Sequence, residues 1–74
     1  MKTHFVCWAA QRQDGSVVAP VESFENERSA IANFHIRAGQ AANGTNLKDT
    51  VVLFTADGFQ MMKATFEHEP VAAQ

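Results

Sequence analysis

Two Asp-Gly dipeptides, Asp14-Gly15 and Asp57-Gly58, each set between short apolar runs, constrain this chain more than any other feature. Asp-Gly suits the two positive-φ positions of a type I′ turn, whose twist matches that of paired antiparallel strands, so each dipeptide predicts a β-hairpin. With a two-residue loop, Gln13 faces Ser16, and the first hairpin pairs Ala10 with Ala19, Trp8 with Val21 and Val6 with Ser23. Its core face then carries Val6, Trp8, Ala10, Val17, Ala19 and Val21, and the other face Phe5, Cys7, Ala9, Gln11, Val18, Pro20 and Glu22. Pro20 has no N–H for a ladder, which puts the second strand at a sheet edge or Pro20 at a bulge. The second hairpin pairs Phe54 with Met61, Leu53 with Met62, Val52 with Lys63 and Val51 with Ala64. Val51, Leu53, Met62, Ala64 and Phe66 form its core face, and Val52, Phe54, Phe59 and Met61 its outer face.

Between the hairpins the apolar period lengthens. Phe24, Ile31, Phe34 and Ala38 follow helical spacing, Ser23 or Asn26 is the cap, and Glu25 and Glu27 sit in a first turn that favours carboxylates. Gly39 is the expected stop, with Ala41 and Ala42 as an extension to Gly44. The helical charges Glu25, Glu27, Arg28 and Arg37 read as a solvated face. The plan is hairpin, helix, hairpin: an α+β domain with a four-stranded, mainly antiparallel sheet and one helix packed on one face. Residues 1–74 form a single domain, with an ordered core over about 3–67 and a flexible tail at 68–74.

The remaining composition excludes several functions. Six basic and eight acidic residues give a net charge of −2, too balanced for a strongly basic nucleic-acid module. One cysteine allows no internal disulfide, fits a reducing compartment, and reads as a small apolar strand residue. His4, His35 and His68 come from three elements without ligand spacing, so no metal is expected, and no glycine-rich loop offers a cofactor phosphate. Cys7 and His4 lie three apart on a strand and point to opposite faces, which spoils a nucleophile and base pair. No catalytic set converges, so no enzymatic activity is expected. No apolar run approaches the ~20 residues of a membrane span, and the start lacks a signal-peptide core, which makes the expected location cytoplasmic.

One helix covers one sheet face, so the opposite face is expected to expose apolar side chains. Val52, Phe54, Phe59, Met61 and Lys63 are the expected partner-binding residues, with a protein as the partner and a homodimer as a second way of covering the face. The alternative is a small single-stranded nucleic-acid binder that stacks bases on Phe5, Phe54 and Phe59 beside Lys63, Lys48 and Arg12.

The helix entry Ser23-Phe24-Glu25-Asn26-Glu27-Arg28-Ser29-Ala30-Ile31, preceded by one hairpin and followed by the Asp57-Gly58 hairpin, resembles in plan small phage-encoded proteins that inhibit host machinery. These include anti-CRISPR proteins and RNA polymerase inhibitors. The likeness spans about residues 3–67 and lies in size and order of elements. Asn26 to Phe34 followed by the same hairpin is also similar in plan to the small nonstructural protein of some single-stranded DNA phages. The first resemblance implies a phage or mobile-element inhibitor, acting in the host cytoplasm, that blocks a surface of a complex such as a CRISPR effector or RNA polymerase. Neither resemblance carries over any functional residue.

Overall fold

The computed structural model describes residues 1–70. Its elements are β1 (His4–Gln11), β2 (Val17–Val18), β3 (Val21–Phe24), α1 (Glu27–Asn43), β4 (Lys48–Thr55) and β5 (Gln60–Glu67). All strand pairs are antiparallel, with β1 and β4 central, β5 at one edge, and β2 and β3 together at the other. The expected α+β plan holds, with the second strand split in two. Trp8 donates its N–H to the Pro20 carbonyl at 3.0 Å, but Pro20 has no N–H to return, and the ladder breaks there.

Both turns differ from the expected type in the same way. Arg12 and Ser16 close the first loop, Thr55 and Phe59 the second, and in each only the glycine has positive φ, +89° at Gly15 and Gly58. These are three-residue loops, a type I turn followed by a left-handed glycine, and not two-residue type I′ turns. The extra residue shifts the first hairpin's register by one, pairing Ala10 with Val18, Cys7 with Val21 and Val6 with Glu22. Because the side-chain period is two, the whole second strand turns over. Val17 and Val21, expected in the core, are 66% and 54% exposed, while Glu22 and Phe24 turn to the helix side. In the second hairpin a bulge between Leu53 and Phe54 restores the expected pairs Leu53–Met62, Val52–Lys63 and Val51–Ala64.

The helix packs on β4 and β1, over a buried cluster of Val6, Ala30, Phe34, Ala41, Val51 and Leu53. Asn26 caps it, accepting the Ser29 N–H at 2.8 Å. It passes through Gly39 and ends at Gly44, the longer of the two expected limits. Ala41 is fully buried, and docking this last turn outweighs the roughly 1 kcal/mol that a glycine costs a helix interior. Phe24, placed by spacing on the helix, packs on the core from β3. Arg37, expected to be solvated, pairs with Glu22 through Nε at 2.8 Å and Nη2 at 2.5 Å, since the shifted register brings Glu22 beneath the helix. His68, at the start of the expected tail, donates its backbone N–H to Leu47 and its Nε2–H to the Ala41 carbonyl, both at 3.0 Å. Residues 71–74 of that tail lie outside the described residues.

The turn aspartates tie stability to pH. Asp14 accepts from the Ser16 hydroxyl at 2.6 Å and the Ser16 N–H at 2.9 Å, and Asp57 accepts from the Thr55 hydroxyl and the Phe59 N–H. These bonds hold both carboxyls below the ordinary value, the side-chain bond being the larger cause in each case. Groups depressed in the native state add stability that is present above the unfolded pKa of about 3.9 and lost as pH falls through the native values. The melting temperature is expected to fall from about pH 5 to pH 2, and less steeply for Asp14→Asn/Asp57→Asn. Thermal unfolding across that range measures the difference.

Candidate interaction surface

Pleating of β1 and β4 puts Val6, Trp8, Ala10, Asp49, Val51 and Leu53 on the helix side and leaves their neighbours on a face that no described element covers. Four cross-strand rows make up that face. Ser23, Phe5, Phe54 and Gln60 form the first, and Val21, Cys7, Val52 and Lys63 the second. Ala9, Thr50 and Thr65 follow, then Val17, Gln11, Lys48 and Glu67. Phe5 and Phe54 stack across the β1–β4 pair with ring centroids 5.5 Å apart and planes at 23°. The surface is an apolar stripe with Thr50, Lys48, Lys63, Thr65 and Glu67 along one side.

Of the expected binding residues, Val52, Phe54 and Lys63 share this face and the other two do not. Met61 occupies the bulge and packs against the buried cluster. Phe59 pairs with Thr55, on the face of His4, and is 66% exposed beside an open hollow lined by Thr3, His4, Thr55, Ala56 and Asp57. Both changes trace to the three-residue loop, which displaces Phe59 and Met61 by one position. Val21 and Val17 take their places, and the signal that could have found them is the second reading of Asp-Gly, with glycine alone at positive φ.

Titratable side chains are scattered. His4 bonds the Thr3 hydroxyl at 2.8 Å, His35 sits edge-on to Phe34, and His68 binds the helix end. Among the described residues no three His, Cys, Asp or Glu side chains gather as a metal site, and no helix is long and apolar enough to cross a membrane.

Asp49 is the exception to this scatter. It is fully buried on the helix side, where Oδ1 accepts the Trp8 indole N–H at 2.8 Å and the Asn46 amide at 3.0 Å, while Oδ2 has no hydrogen-bond partner among the described residues. It anchors the loop that leads from α1 into β4. Asp49→Ala is expected to cost about 2–4 kcal/mol, because two donors lose their acceptor, and Asp49→Asn less, because Oδ1 remains. Urea unfolding of the two variants checks this.

Comparisons with protein-family models, with curated proteins and with solved structures found no match.

Proposed function

We propose that the protein is a non-catalytic binding module that uses the helix-free face of its sheet to occupy a surface of another protein. The observation that carries this reading is the stacked Phe5–Phe54 pair, continuous with Cys7, Val52 and Val21 on a face that no described element covers. Contiguous apolar surface rimmed by polar residues marks interaction sites more often than it is tolerated for its own sake. In its finer form the reading is an inhibitor, encoded by a phage or mobile element, that blocks a host complex such as a CRISPR effector or RNA polymerase. The likeness in plan supports that form. The experiment is a pull-down from bacterial lysate with the intact protein beside Val52→Asp/Phe54→Asp. A captured protein lost with the double variant, and titrated directly once purified, supports the reading; equal capture by both overturns it.

The same stacked pair, with Lys63 in the next cross-strand row and Lys48 at the far end of the face, favours a second reading, single-stranded nucleic-acid binding. Titration of a labelled oligonucleotide at ~50 and ~200 mM salt separates the two, since neutralising phosphates makes binding weaken steeply with salt.

A further inference from the structure

The two edges of the sheet are unequal. One consists of β2 and β3, two and four residues long, interrupted at Ala19-Pro20. The other is β5, eight residues long, with no described strand on its far side. The bond from the His68 N–H to the Leu47 carbonyl continues the β4–β5 register and fixes the alternation along β5. Met62, Ala64 and Phe66 turn their backbone groups to β4, so Lys63, Thr65 and Glu67 turn theirs to the open edge. Proline, short length and bulges commonly protect such edges. The bulge in β5 lies at Met61, outside the stretch from Lys63 to Glu67.

We propose that β5 pairs antiparallel with β5 of a second copy of this chain, about a two-fold axis at Thr65, joining two sheets into one. A two-fold axis normal to the sheet keeps like faces together, so the axis must fall on a residue. An axis at Lys63 opposes two ammonium groups. One at Ala64 sets Lys63 against Thr65 and Glu67 against Met61, and one at Phe66 carries Lys63 past the end of the opposing strand. At Thr65, Lys63 meets the second copy's Glu67 twice by symmetry, Thr65 meets Thr65, and each of these pairs exchanges both backbone hydrogen bonds. Among the described residues the ion pairs are Met1 with Glu25 and Arg37 with Glu22, and they involve neither Lys63 nor Glu67. Glu67 already lies across from Lys48 within its own sheet, so pairing places it between two cations. The proposal does not depend on the reading of the outer face, which this pairing leaves open and doubles in width.

The test is the oligomeric state of the full chain by sedimentation across ~1 µM to ~1 mM, the range in which a pairing of this size has to show itself by mass action. A dimer is expected. Lys63→Glu and Glu67→Lys should each weaken it by about tenfold or more, and Lys63→Glu/Glu67→Lys should recover most of the loss, because the opposed charges are complementary again. Thr65→Pro should give a monomer that still unfolds cooperatively, since that N–H faces away from β4. A monomer at the highest concentration overturns the proposal. So does a dimer indifferent to the charge reversals and to Thr65→Pro, or one weakened by Phe54→Asp instead, which would put the contact on the outer face. Failure of the double reversal to recover the dimer also overturns it, because the axis at Thr65 requires that rescue.

Discussion

Leu53→Asp is expected to abolish the cooperative thermal transition, whereas Val52→Asp, one residue earlier on the same strand, leaves it nearly in place. Leu53 is fully buried in the cluster beneath the helix, and Val52 lies on the open face opposite Lys63. Replacing Leu53 removes roughly 2–3 kcal/mol of burial and puts a carboxylate where no cation or donor reaches it, which costs several kcal/mol more. A domain of 74 residues has about 4–11 kcal/mol of stability in total, so this substitution consumes most or all of it. At position 52 the new carboxylate stays in water and gains an opposed ammonium group from Lys63. Circular dichroism melts of the two single variants measure the contrast. Melts in the reverse order would put β4 one residue out of register.

Phe54→Asp is expected to weaken partner binding by about 10²–10³-fold, or about 3–4 kcal/mol, with little change in folding. Its ring stacks on Phe5 at the centre of the first cross-strand row, where a partner would desolvate it most completely. The substitution removes a stacked aromatic ring from the proposed contact and replaces it with a carboxylate that binding would have to desolvate. Lys63→Ala, at the polar margin, should cost less than tenfold, because rim charges stay hydrated in a complex. Titration calorimetry with the purified partner distinguishes the two. Equal losses would mean that the stacked pair is not the centre of the contact.

Much of the fold is legible in local residue patterns. The Asp-Gly dipeptides mark both reversals, the spacing of Ile31, Phe34 and Ala38 marks the helix, and alternation along Val51, Val52, Leu53 and Phe54 assigns each to its face. These signals are short-range, since each depends on what a residue's own backbone tolerates or on the period of one element. The candidate surface was legible only in part. Phe54, Val52 and Lys63 lie where alternation puts them, but Phe59, Met61, Val17, Val21 and Glu22 depend on a register that Asp-Gly leaves open between two loop lengths.

Residue chemistry by itself determined that this chain makes two hairpins around one helix, with a balanced charge and an apolar sheet face opposite that helix. Tertiary packing decided the rest. The same three-residue turn occurs in both hairpins, yet only the second carries a bulge that puts Met62, Ala64 and Phe66 back under the helix. In the first, the shifted register is kept, and it brings Phe24 onto the core and Glu22 to Arg37. The helix runs past Gly39 for a similar reason, because Ala41 has a buried place to dock. A one-residue slip costs little in the turn itself but moves every side chain of a strand to the other face. The choice between registers therefore falls to the contacts each strand makes with the helix, and those exist only once the sheet and helix are packed together.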